Sequence, residues 1–255
     1  NAHEFDQALA DLDQVLAVEP NNAQAWLTKA SILQVQTRYD EARRACQRLA
    51  RLAAAHVLLG CLGDIAGVTG QSVKSRELLR QVLSDTTLSE RERIWIATIL
   101  AETAARTGAI REAEESFAEA FKVGIKNQYL LGAYADFLLD QRRYQDVMSL
   151  LQSETRADGL LLRLALAEQT LKLPIFQNHT AELAARFAAG RDRGTTVHVR
   201  EEARFTLALQ HDARRALPLA QANWNVQREP ADARILLESA LAAKNPPAAQ
   251  PVLDW

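Results

Sequence analysis

The sequence predicts an all-α protein, an α-solenoid of stacked helix-turn-helix units curling into a right-handed superhelix. Three observations carry that prediction. The 255 residues are 48% hydrophobic and rich in Ala and Leu, with only ten Gly and seven Pro and no β-branched runs, a balance that favours helices throughout. A block of residues recurs along the chain at about the same interval. The punctuation "EPNNAQAW", Glu19 to Trp26, returns near the other end as "EPADARIL", Glu229 to Leu236.

The elements follow from the repeat, which is sought before any single helix is assigned. Phe5-Asp6-Gln7-Ala8-x3-Leu12-x2-Val15 superimposes on Tyr39-Asp40-Glu41-Ala42-x3-Cys46-x2-Leu49, 34 residues on. Ser75-x3-Leu79-x2-Val82, Ala113-x3-Phe117-x2-Ala120 and Val147-x3-Leu151 continue the series at steps of 33, 38 and 34. In front of each block lies another helix: Trp26-x2-Lys29-Ala30-x2-Leu33, Leu59-x2-Leu62-Gly63-x2-Ala66, Ala97-x2-Leu100-Ala101-x2-Ala104 and Leu131-x2-Tyr134-Ala135-x2-Leu138. The spacing puts these residues on one helical face. Small residues let neighbouring helices approach, and the large ones fill the grooves between them.

The pattern resembles the tetratricopeptide repeat of bacterial proteins, whose 34-residue helix-turn-helix reads W-x2-L-G-x2-Y, then A-x3-F, then P. Pro20 and Pro230 occupy the closing-proline place, and Trp26, Gly63, Ala8, Ala42, Ala113 and Phe117 match consensus identities. The resemblance implies a non-enzymatic scaffold that holds a peptide segment or protein surface in its concave groove. Two other readings stand beside it: a self-assembling spacer, or the regulatory part of a larger enzyme or envelope assembly.

The regular repeats are expected over 1–154, the first one partial, with divergent helix pairs over 155–255 continuing the same stack. There Leu161-x2-Leu164-Ala165 is followed by Glu168, Arg204 falls near a small-residue place, and "GRDRGTT" reads as a longer turn. The last pair closes with Ala233-x2-Leu236-Leu237-x2-Ala240 and Ala249-x3-Leu253. The chain opens Asn1-Ala2 without methionine, as expected of a segment cut from something longer. Polar capping helices are expected to be missing at both ends, and apolar ends favour self-association.

Several chemistries are excluded. A net charge of −2 and few lysines argue against nucleic acid. His3, His56, His179, His198 and His211 lack metal spacing, and no Ser or Cys sits in a nucleophile motif, so no catalytic residue, metal or cofactor is assigned. Glu201 and Glu202 are neighbours that face different ways on a helix and cannot share a proton. "GCLGDIAGVTG" has no strand before it and no Lys-Ser/Thr after it, so it is not a phosphate loop. No apolar run reaches transmembrane length, since Arg163 breaks "GLLLRLALA". Cys46 and Cys61 are expected as free, buried thiols, with a bridge between adjacent helices as the lesser reading. They leave the compartment, cytoplasmic or periplasmic, open.

Two surface features remain. Arg44, Arg48 and Arg51 fall at i, i+4 and i+7, an outward basic stripe that is either solvated or a contact for an acidic partner. In the first helices, the residue after the small one should face the groove: Ser31, Asp64, Glu102 and Asp136. One turn earlier stand Gly60, Thr98 and Gly132, expected to leave room for a peptide backbone. Basic, extended peptide segments are the expected ligands of such a face, if the acids do more than solvate it.

Overall fold

The computed structural model describes residues 4–194 and 198–255, and the described residues form helices and turns alone. They fall into two compact units, Glu4–Tyr134 and Ala135–Trp255. The N-terminal unit contains α1 (Phe5–Val18), α2 (Ala23–Val35), α3 (Tyr39–Arg48) with a 3-10 turn at Leu49–Arg51, α4 (Ala55–Val68), α5 (Ser72–Leu83), α6 (Glu90–Arg106) and α7 (Ile110–Lys122). The boundary falls inside α8 (Gln128–Asp140). After it come α9 (Tyr144–Leu151), α10 (Asp158–Thr170), α11 (Phe176–Asp192), α12 (Val199–Ala208), α13 (Ala213–Val226), α14 (Pro230–Ala242), a 3-10 turn at Pro246–Ala249 and α15 (Gln250–Leu253).

Within each unit the helices stack in pairs. In the first, α2 packs on α3, α4 on α5 and α6 on α7, while the leading helices α2, α4 and α6 also adjoin one another. In the second, α10 packs on α11 and α12 on α13, with α10, α12 and α14 adjoining in the same manner. From α3 onward the repeated positions are buried, with Ala42, Cys46, Leu79, Val82, Ala113, Phe117, Val147 and Leu151 in the core, whereas in the first block Ala8 and Leu12 are half-buried, Val15 is exposed, and α1 buries Leu9 and Leu16 instead.

One turn joins the helices of every pair. The chain turns left-handed at Thr37, Gly70, Gly108, Arg142, Lys172, His211 and Lys244, each just past a leading helix. An amide beyond that residue donates back into the helix: Arg38 to the Leu33 carbonyl at 2.8 Å, Ala109 to Ala104 at 2.9 Å, Leu173 to Glu168 at 3.0 Å and Asn245 to Ala240 at 2.9 Å. This bond caps the orphan carbonyls of the helix end. Only two of the seven turn residues are glycine, so the repeat carries little glycine although every turn has the geometry that favours it.

Two expectations are corrected. Cys46 and Cys61 form a disulfide between α3 and α4. The helix faces that bury the two residues bring their Cα atoms to 5.8 Å, within bonding range, so the sulfurs meet in the core among Leu9, Ala30, Leu33, Leu49 and Ile65. Residues 190–192 of "GRDRGTT" belong to α11, because the helical run continues to Asp192; Thr195 and Thr196 lie outside the described residues, as does His3.

The two proline signals share letters but not geometry. Pro20 lies in the turn before α2, where its carbonyl accepts from the Trp26 indole at 2.9 Å and Asn22 caps the helix through the Ala25 amide at 3.0 Å. Pro230 is itself the first residue of α14, a place where its missing N–H costs nothing.

Candidate functional site

The seven candidate residues divide by environment. Ser31 is exposed on α2 and donates to the Leu27 carbonyl at 3.2 Å. Asp64 on α4 and Glu102 on α6 are half-buried, at equivalent places on adjoining leading helices. Glu102 accepts a hydrogen bond from the hydroxyl of Tyr129, an exposed aromatic at the start of α8. These four residues belong to the N-terminal unit.

Gly60, Thr98 and Gly132 are buried. A β-carbon on Gly60 would stand 2.3 Å from Ile96 Cδ1 and 2.9 Å from the Trp95 ring, so the room left by this glycine is taken by α6. The Thr98 hydroxyl donates to the Ile94 carbonyl at 2.7 Å and faces no open groove. The place one turn before the groove residue thus meets the neighbouring helix, because that helix carries a bulky Trp95 and Ile96.

Asp136 lies in the C-terminal unit and is gripped by two arginines. Arg163 Nη2 donates to its Oδ2 at 2.5 Å, and Arg204 Nη1 to its Oδ1 at 2.6 Å. Burial alone would raise the Asp136 carboxyl, but the two guanidinium charges and their hydrogen bonds outweigh it and hold the group well below the usual carboxylate range. One turn further along α8, Asp140 accepts from Arg234 of α14 at both oxygens, at 2.7 and 2.9 Å.

The same unit holds a buried polar cluster. Asp232 is 0% exposed, and its Oδ1 accepts from Asn223 at 2.7 Å, from Gln227 at 2.9 Å and from Arg200 at 3.4 Å. Its Oδ2 accepts from the Glu229 amide at 2.8 Å. Burial opposes the charge on Arg200, yet Glu201, Asp232 and Glu229 raise its pKa above the ordinary arginine value. Glu202 turns away from Glu201 and pairs with Arg191, so the two acids do not share a site. Glu168 on α10 is paired with His179 on α11 at 2.9 Å. No group of His, Cys, Asp and Glu among the described residues has the geometry to hold a metal ion.

The family model of the tetratricopeptide repeat matches residues 2–57. A crystal structure of a tetratricopeptide repeat protein from Parabacteroides merdae superimposes with a TM-score of 0.53 at 14% sequence identity, covering 92% of each chain. The chain is thus similar to tetratricopeptide-repeat proteins, in sequence over residues 2–57 and in fold over most of its length. At that identity the likeness to the solved structure is one of fold. No curated protein matches the chain.

Tetratricopeptide repeats generally mediate protein–protein interaction and typically serve as scaffolds. No helix among the described residues is long and apolar enough to cross a membrane. Two features of the repeats escaped the sequence reading. The grip of Arg163 and Arg204 on Asp136 joins residues 27 and 68 positions apart. Its one signal was Arg204 directly after the buried Ala203, where an earlier repeat has Asp136 directly after Ala135. The Asp232 cluster left a weaker trace, an acid three residues into a helix opened by Glu229-Pro230.

Proposed function

We propose that the chain is a non-catalytic protein-binding scaffold, and that the leading helices α2, α4 and α6 of its N-terminal unit take an extended, basic peptide segment. The observation that carries this reading is the placement of Asp64 and Glu102, half-buried carboxylates at equivalent positions on adjoining leading helices. Packed helices lie roughly 8–10 Å apart, and an extended chain advances about 3.3 Å per residue, so basic side chains at i and i+3 suit the two acids. Exposed Tyr129, bonded to Glu102, offers a ring for the ligand's apolar stems. Asp136, already neutralised by two arginines, is left out of this surface.

Partly exposed pairs contribute about 0–1 kcal/mol each, so binding is weak and falls with salt. The test is titration of a labelled peptide with arginine at every third residue into wild type and into Asp64→Asn/Glu102→Gln. Wild type binds at low salt and the double variant binds several-fold more weakly. Equal binding by the two proteins sinks the groove reading.

The Cys46–Cys61 disulfide supports an oxidising compartment as the place of work, since such bonds persist where thiols are not kept reduced. Mass spectrometry of protein from its native source, alkylated before reduction, checks this: modification of both cysteines would overturn it.

A further inference from the structure

We infer that the outward face of α3 is a second interaction surface, separate from the leading-helix groove, and that its partner is an acidic polypeptide segment. From Arg38 to Arg51 the chain has five arginines against two carboxylates, in a protein whose net charge is −2. Both carboxylates are already engaged. Arg38 donates to the two oxygens of Glu41 at 2.7 and 2.8 Å, and Arg43 to Asp40 at 2.9 Å. Arg44, Arg48 and Arg51 are left exposed, and no carboxylate among the described residues forms an ion pair with any of them.

What marks this face is three such arginines in one row, since many arginines elsewhere are paired with carboxylates. Arg76, Arg93, Arg163, Arg186, Arg200 and Arg234 all meet carboxylates on other elements or within their own helix. On α3 the row is also held in place. Its opposite face buries Ala42, Ala45, Cys46 and Leu49, and the disulfide from Cys46 ties that face to α4. The Arg48 guanidinium lies 5.5 Å from the centre of the half-buried Trp26 ring, a contact that orients the charge without neutralising it. Lys29 lies over the same ring at 5.6 Å but is paired with Asp13.

The geometry selects the partner. Arg44 and Arg48 on α3 and Arg51 at the end of the following 3-10 turn span roughly 12 Å, which an extended strand covers in about four residues. A short run of Asp and Glu therefore reaches all three guanidinium groups. The row is one side chain wide and flanked by Asp40 and Glu41 at its N-terminal end, so it lacks the breadth of basic surface that a duplex backbone or an anionic membrane engages.

The experiment titrates a fluorescein-labelled oligoglutamate peptide into the full chain, its disulfide intact, at low and physiological salt. Wild type is expected to bind at low salt and to lose affinity as salt rises. Arg44→Gln/Arg48→Gln/Arg51→Gln should lower the affinity about tenfold, with an unchanged circular dichroism spectrum. Arg111→Gln, at an exposed arginine paired with Glu115, and the groove variant Asp64→Asn/Glu102→Gln should bind the probe as wild type does. That last result also separates this surface from the groove, because either can fail alone. Absence of binding by wild type, equal binding by the triple variant, or tighter binding to phosphatidylglycerol vesicles or duplex DNA than to the peptide overturns the proposal.

Discussion

Between its leading helices the N-terminal unit relies chiefly on small and apolar side chains, with His56–Glu92 at 3.0 Å as a polar contact of α4 with α6, whereas the C-terminal unit places several charges at comparable positions. Where α4 meets α6, Gly60 admits the Trp95 ring and Ile96, and Gly63 lies against Leu79 of α5. In the later unit the leading helices carry Asp136, Asp140, Arg163, Arg200, Arg204, Asp232 and Arg234, joined by carboxylate–guanidinium contacts of Asp136 with Arg163 and Arg204, Asp232 with Arg200, and Asp140 with Arg234. The difference teaches that the repeat is conserved in its turns and its backbone path more than in any one way of filling the space between helices. It also accounts for the weaker consensus after residue 155, since a buried ion pair substitutes for a small-to-large fit only when both partners are present.

The largest effect expected from this contrast is at Asp232. Replacing it by Ala leaves Arg200, Asn223, Gln227 and the Glu229 amide facing an empty site. Removing one partner from a buried charge cluster costs about 3–5 kcal/mol, a large share of a stability of roughly 5–15 kcal/mol. Asp232→Asn keeps one acceptor oxygen and should cost less. Because repeats contact mainly their neighbours, hydrogen exchange should show the loosening concentrated in α12–α14. If Asp232→Ala unfolds in urea within 1 kcal/mol of wild type (about fivefold in the folding constant), the cluster is decoration and the contrast between the units collapses.

Next in size is the disulfide, which the N-terminal unit alone possesses. It closes a sequence separation of 15 residues, and a loop of about that length is restrained in the unfolded chain by roughly 3 kcal/mol. Cys46→Ala/Cys61→Ala should lose about that amount in chemical denaturation, with exchange rising in α3 and α4. Reduction of wild type should reproduce most of the loss. A double variant as stable as oxidised wild type would show that apolar packing among Leu9, Leu33, Leu49 and Ile65 suffices without the bond.

Much of the fold was legible because the repeat is written in core positions. Ala42, Ala113, Phe117 and Val147 recur at intervals that the sequence shows directly and are buried, although the first copy, Ala8, is only half-buried, and burial of small and large side chains on one face requires that periodicity. The disulfide was legible only as an alternative, since Cys46 and Cys61 occupy apolar places on successive helices and their distance depends on how those helices cross. Of the groove residues, Asp64 and Glu102 could be placed by counting from the small residue. Gly60 and Thr98 could not, because their exposure depends on the bulk of a neighbour 35 or so positions away. The neutralisation of Asp136 depends on Arg204, two leading helices further on, which local periodicity cannot reach.

The smallest effect concerns the turns, where the units also differ. At the turns that follow the leading helices, the N-terminal unit has Gly at two of three left-handed positions, Gly70 and Gly108 but not Thr37, and the C-terminal unit uses Arg142, Lys172, His211 and Lys244; Gly124 and Gly194 are left-handed elsewhere. A side chain in that region costs about 1–2 kcal/mol through contact between its β-carbon and the backbone, and glycine escapes the cost but gives back about 0.4–1 kcal/mol in the greater freedom of the unfolded chain. Lys172 is exposed, so little contact is lost by removing it. Lys172→Gly should therefore stabilise the protein, by up to about 1 kcal/mol. The reverse exchange is Gly108→Ala, where an added β-carbon meets nothing within 4 Å and only the backbone preference acts. It should destabilise by about the same amount. Both shifts are read from urea midpoints at unchanged slope. If Lys172→Gly is destabilising while Gly108→Ala behaves as expected, the long side chains of the later turns make contacts of their own, and the two units differ there in packing rather than only in backbone strain.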